Sequence, residues 1–120
     1  MRTSNIHLAE QFMSVAATGA ATWYMLSMPF LEIAFTNPAG GQTLTLVNDP
    51  EFAVLDLGSL VVVTAIQDAV VGGNLITWPV DFVFSTPGDM VPSPAPSAIT
   101  KWTGIYSALG VKILMTKTAY

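Results

Sequence analysis

Residues 60–66 read Leu-Val-Val-Val-Thr-Ala-Ile, and this short run decides the class of fold. Valine, isoleucine and threonine favour strands because their branched side chains pack well on a pleated surface. A short run with almost no polar side chain is typical of a strand that is buried on both faces. The sequence therefore predicts a β protein in which residues 60–66 form a buried strand.

Short runs of the same kind, separated by turn residues, occupy residues 30–120. In Gln42–Asn48 leucine and threonine alternate, which is the pattern of a strand with one buried face. We expect Phe30–Thr36 and Gln42–Asn48 to form a hairpin, and Gly72-Gly73-Asn74 to be a hairpin turn as well. Turns about every ten residues are typical of a single-domain β-sandwich, jelly-roll-like in outline, or of a small barrel. The predicted fold class is therefore mainly β.

The first 29 residues follow a different pattern, and we expect an N-terminal helical segment over residues 1–29. Apolar residues recur at spacings of three and four between Ile6 and Ala17. This spacing predicts an amphipathic helix over about Asn5–Ala17, and Pro29 would end any continuation. The chain is therefore divided into the helical segment and a β domain of residues 30–120.

Proline is concentrated in residues 86–97, which contain Pro87, Pro92, Pro94 and Pro96. Proline cannot donate to a ladder or a helix, so we expect an extended, polyproline-like segment. Such a segment is either a surface loop or a proline-rich arm that reaches over a neighbouring subunit. An arm of this kind loses little entropy when it is ordered, which suits a contact between subunits.

Charged side chains are scarce and are segregated by sign along the chain. They make up 10% of the residues against a usual share of about 25%, and mean hydropathy is +0.56. From Thr3 to Thr100 every charged residue is acidic, and after Thr100 every one is basic. A surface with so few charges favours a large subunit interface, and opposite charges on one subunit suit contact between identical copies. The same segregation would also serve pairing of acidic and basic strands within one chain.

Residues 11–31 contain no charge and are about as long as one bilayer span. This stretch is the basis of an alternative, a small membrane-associated protein anchored by residues 11–31. Its polar residues and the mid-stretch position of Trp23 weaken that interpretation, because membrane aromatics prefer the interfaces.

Several kinds of chemistry are excluded or disfavoured by composition. The chain has no cysteine and one histidine, His7, so it cannot form a cysteine-ligated or multi-histidine metal site alone. We find no phosphate-binding glycine loop and no nucleophile elbow. Asp49, Glu51 and Asp56 lack the spacing of a calcium loop and are interpreted as turn acids. A pI near 4.5 argues against a nucleic-acid surface. From these observations together we predict no enzyme activity, no cofactor, no metal and no nucleic-acid partner.

These features predict a structural subunit of a repeating protein assembly, in which the partners are copies of the chain and other structural proteins. We expect a small capsid or minor virion protein of a bacterial or archaeal virus, located in the virion. A second alternative is an extracellular β-sandwich binding module that uses surface aromatic residues. The candidate interface residues come from the N-terminal segment, the proline-rich arm and the basic tail: Phe12, Trp23, Pro92, Pro94, Pro96, Lys112 and Lys117.

Overall fold

Strands dominate the computed structural model, which describes residues 10–49, 59–107 and 112–120. Within these ranges the strands are β1 (Glu10–Val15), β2 (Gly19–Trp23), β3 (Phe30–Phe35), β4 (Thr43–Asn48), β5 (Leu60–Ile66), β6 (Leu75–Thr77), β7 (Phe82–Phe84), β8 (Ile99–Ser107) and β9 (Lys112–Ala119). A single turn of 3-10 helix covers Pro87–Met90. The prediction of a mainly β, single-domain protein is confirmed.

The described strands form two sheets, and the chain moves from one sheet to the other after each of the first six of them. The larger sheet has the order β1-β3-β5-β8-β9-β7, and the smaller has the order β2-β4-β6. Strands β1, β3 and β5 are parallel to one another, as are β2, β4 and β6. Strand β8 pairs antiparallel with both β5 and β9, and β7 is parallel to β9.

The two predicted hairpins are wrong, because the turns after β3 and β5 are corners that lead into the other sheet. Gly40 and Gly72 adopt φ values of 65° and 76°, a left-handed conformation that glycine adopts without strain. The two corners stack closely: the N–H of Gly41 donates to the carbonyl of Gly72 at 3.2 Å. A side chain at Gly40 would meet that same carbonyl. Glycine here therefore serves corner stacking rather than a hairpin.

The predicted N-terminal helix is also wrong, since its described part, residues 10–17, contains strand β1. Met13 and Val15 are buried while Phe12 and Ser14 are exposed, so the residues alternate with the period of a strand. Pairing with β3 along the whole of β1 provides the hydrogen bonds that a helix would have made internally. Residues 5–9 of that prediction lie outside the described residues.

The uncharged stretch 11–31 contains β1 and β2 rather than one long helix. Among the described residues, no helix has the length and apolar character needed to cross a bilayer.

The inner faces of both sheets contribute to one hydrophobic core. Trp23 from β2 and Trp102 from β8 are completely buried, and Trp78 packs edge-on against Trp102 with ring centroids 4.9 Å apart. Strand β5 was predicted to be buried on both faces, but only the side chains of Val61, Val63 and Ala65 face the core. The other face of β5 is partly open to solvent.

Candidate functional site

The surface of the larger sheet that points away from the core is the candidate site, and it is called the outer face below. Its side chains are those that alternate with the buried positions of each strand. They are Glu10, Phe12, Ser14, Phe30, Glu32, Ala34, Leu60, Val62, Thr64, Ile66, Val83, Ile99, Lys101, Thr103, Ile105, Lys112, Leu114, Thr116 and Thr118.

A row of aliphatic side chains crosses this face on neighbouring strands. Leu60 lies opposite Ile105, Ile105 lies opposite Leu114, and Leu114 lies opposite Val83. These four side chains are 47%, 51%, 49% and 42% exposed. The row spans β5, β8, β9 and β7, a distance of about 14 Å at ordinary strand spacing. A continuous apolar row of this kind is typical of a surface that another molecule covers.

Shallow depressions lie on both sides of the aliphatic row. One, of about 430 Å³, is lined by the charged and polar residues Glu10, Thr64, Lys101 and Thr103 and by apolar residues that include Phe30 and Val62. The other, of about 400 Å³, is lined partly by Phe84 and Thr116. Small-molecule sites usually bring several polar groups together in a concave pocket. The second depression is lined mostly by apolar residues, which suits the side chains of another protein surface. The first also carries the opposite charges of Glu10 and Lys101.

The outer face also carries two acids and two bases, which lie on opposite sides of it. Glu10 and Glu32 lie on β1 and β3, whereas Lys101 and Lys112 lie on β8 and β9. Glu32 and Lys101 both lie opposite Thr64 in the strand pairing. Strand β5 therefore separates their backbones by about 10 Å. The face as a whole therefore has an acidic side on β1 and β3, and a side on β8 and β9 that carries both the lysines and most of the aliphatic row.

A different feature lies beside β1 and β2, which are the outermost of the described strands on one side of the two sheets. A depression of about 360 Å³ opens there, lined by Met13, Val15, Ala17, Gly19 and Leu44 among others. Edge strands are usually protected by charges or proline. Strand β1 carries one charge, Glu10 at its first residue, and β2 carries neither a charge nor a proline.

The proline-rich segment, residues 86–97, is bonded to its own domain. The indole N–H of Trp78 donates to the backbone carbonyl of Met90 at 2.8 Å, and the indole N–H of Trp102 donates to the backbone carbonyl of Asp89 at 2.7 Å. The ammonium group of Lys117 donates to the carbonyl of Val91 at 2.6 Å. The segment therefore lies against its own sheet as a loop along these contacts.

The candidate interface residues from the sequence fall into three settings. Phe12 is 60% exposed on the outer face, and Lys112 lies on the same face. Trp23 and Pro92 are buried within their own chain, where they contribute to its interior rather than to its surface. Pro94 and Pro96 are exposed in the proline-rich segment, and Lys117 is held by the loop bonds described above.

The aliphatic row and the Glu32–Thr64–Lys101 arrangement were missed by the reasoning from sequence. Ile105 and Leu114 are apolar residues at positions that alternate with the buried residues of their strands. That pattern of apolar residues on both faces is the signal that could have indicated a second contact surface.

A buried polar cluster at the corner after β5 is the other group of chemical interest. The carboxylate of Asp68 accepts hydrogen bonds from the N–H groups of Val70, Val71 and Gly72 and from the amide of Asn74, at 2.7–3.0 Å. The hydrogen bond from Val71 lowers the pKa of Asp68 most, whereas burial of the carboxylate raises it. The bonds from Val70, Asn74 and Gly72 lower it further, so that the pKa falls to about 2. Because its oxygens are occupied by these donors, the carboxylate holds the corner in shape rather than binding a ligand.

Within the described ranges, no three histidine, cysteine, aspartate or glutamate side chains come together as a metal site requires. Glu51 and Asp56, two of the predicted turn acids, lie outside the described residues.

Comparison with protein-family models, with curated proteins and with solved structures found no match. The outer face is therefore the feature from which a function can be inferred.

Proposed function

We propose that this protein is a structural subunit of a repeating protein assembly and that the outer face is one of its contact surfaces. We further propose that the assembly is a virion of a bacterial or archaeal virus, with the chain as a small capsid or minor virion protein. In this proposal the two sheets pack as a sandwich, which presents the broad face of the larger sheet to neighbouring subunits.

The observation that carries the proposal is the aliphatic row Leu60–Ile105–Leu114–Val83. Half-exposed aliphatic side chains on adjacent strands leave apolar surface in water, which is unfavourable by about 25 cal/mol per Å². Single exposed apolar residues are ordinary on proteins, but a continuous row across four neighbouring strands is not. Contact with another subunit would remove this surface from water.

The small number of charges supports the same conclusion. Only 10% of the residues are charged, against about 25–35% on well-behaved small soluble domains. Much of the remaining surface consists of threonine and apolar side chains, as on β4 and β6. A subunit surrounded by copies of itself needs fewer charges than an isolated chain in solution.

Mass in solution, combined with electron microscopy, tests the proposal. The full chain is purified without detergent and studied by sedimentation velocity over a range of concentrations. We expect defined oligomers or particles, with a repeating subunit visible by negative staining. A freely soluble single chain at high concentration would overturn the proposal.

A further inference from the structure

We propose that two copies of the chain pair face to face through their outer faces, about a two-fold axis that runs along β5 at Thr64. This inference rests on the proposed function, because it names the partner of the same surface as a second copy.

The charges of the outer face are arranged for such a pair. Along one line across the sheet the side chains are Phe12, Glu32, Thr64, Lys101 and Thr118. The acid and the base are equally far from Thr64, each one strand away on opposite sides. A half turn about an axis along β5 exchanges these two positions. Glu32 of each copy then lies over Lys101 of the other, so one rotation creates two ion pairs.

The direction of the axis follows from the same charges. An axis across the strands would place β1 and β3 of one copy over the same strands of the other. Glu10 and Glu32 would then lie among acids of the second copy, which is repulsive. The axis along the strands brings the acidic side of each copy to the basic side of the other.

Strand β5 is the centre of this pair. Its outward side chains are Leu60, Val62, Thr64 and Ile66, which are partly buried or exposed in the single chain. On the two-fold axis each of them faces its equivalent in the second copy. The apolar run that the sequence predicted to be buried on both faces would then be buried on both faces, one by its own core and one by the partner.

The size of the face sets the expected strength of pairing. With the axis on β5, the five strands from β1 to β9 in the sheet order overlap and β7 has no counterpart. Five strands about 4.8 Å apart and about 20 Å long give roughly 500 Å² per copy, or about 1,000 Å² in total. This area is at the lower end of the range for specific interfaces, so we expect dissociation constants on the order of micromolar.

Charge reversal and mixing test the pairing. Sedimentation equilibrium is measured for the full-length wild type, for Glu32→Lys and for Lys101→Glu, each alone, and for an equimolar mixture of the two variants. Each variant alone places two like-charged pairs in the interface, so we expect its dimer to weaken by about tenfold or more. In the mixture both contacts again join a lysine and a glutamate, and we expect a heterodimer of wild-type strength. Asp89→Lys is the matched control, because it makes the same charge change as Glu32→Lys but lies in the 86–97 loop, outside the outer face, and we expect its dimer to persist.

The outcomes separate this inference from the proposed function. A wild type that stays monomeric at every concentration overturns both. Three results overturn the pairing and leave assembly through other surfaces standing. They are charge variants that dimerise like the wild type, a mixture that associates no more strongly than its components, and an Asp89→Lys variant that is as disruptive as Glu32→Lys. Should either charge variant fail to fold, Thr64→Glu places two carboxylates face to face on the axis, and an unchanged dimer in that variant overturns the pairing.

Discussion

Replacing both Ile105 and Leu114 by threonine should weaken assembly strongly while leaving the fold intact. The two side chains are 51% and 49% exposed, so about half of each is available for burial by a neighbouring subunit. Full burial of such a side chain contributes about 1.5–3 kcal/mol, so the exposed half contributes about 1 kcal/mol. Loss of both therefore costs about 2 kcal/mol per contact, or about a 30-fold weaker association. Threonine is branched at Cβ and favours a strand, so the chain itself should remain folded.

The assay compares the concentration dependence of sedimentation for the double variant and the wild type, with thermal unfolding measured in parallel. Val80→Thr is the matched control, because Val80 is the most exposed of the large hydrophobic side chains described, at 85%, and lies outside the strands. We expect Val80→Thr to assemble like the wild type. Wild-type association by the double variant, with its fold preserved, would refute the assignment of the aliphatic row to an interface.

Three further predictions concern the fold. Asp68 has a pKa lowered from 3.8 to about 2, so its charged form contributes stability above about pH 4 that is lost as the pH falls toward 2. The Asp68→Asn variant should therefore be less stable at neutral pH, and its free energy of unfolding in urea should depend less on pH between 4 and 2. Parallel plots of unfolding free energy against pH for the variant and the wild type would contradict this. Gly104→Ala should destabilise the protein by about 1–3 kcal/mol in thermal unfolding, because the added methyl group would overlap the side chains of Val61 and Met115; an unchanged melting temperature would show that the core relaxes there. Lys117→Met should speed hydrogen exchange in residues 86–97 by removing the bond to the Val91 carbonyl, whereas Lys112→Met should not. Equal exchange rates in the two variants would show that the Lys117 bond does not hold this segment in place.

The strands were predictable from sequence because their signal is local. Leu60–Ile66 is a strand with the predicted bounds, and the alternation in residues 43–48 gives β4 with its leucines inward. The prediction of a helix was wrong over residues 10–17, because Met13 fits both a helical spacing and a two-residue alternation. In such a short run the pairing with β3 decided between them.

The pairing of the strands was not predictable, because the partners lie far apart in sequence. Phe30 pairs with Val62 and Thr43 pairs with Leu75, whereas a glycine-rich turn between two strands favours a hairpin in any local analysis. The corner geometry depends on contacts such as that between Gly41 and Gly72, which exist only after both corners have formed.

The candidate site was partly predictable. The segregation of acidic and basic residues along the chain suggested opposite charges on one subunit, and Glu32 and Lys101 do lie on opposite sides of one face. The aliphatic row could not be assigned, because exposure of Ile105 and Leu114 depends on which face of their strands the core covers.

The late position of the lysines along the chain has a consequence during synthesis on the ribosome. In this sequence Lys101 follows all the acidic residues. Arg2 is the one lysine or arginine that precedes it. Two unfinished polypeptides therefore carry net negative charge and repel each other, so their apolar strands are kept apart. In the proposed pair, the attraction between Glu32 and Lys101 begins only once β8 has paired with β5, so newly made copies associate after these two strands have come together.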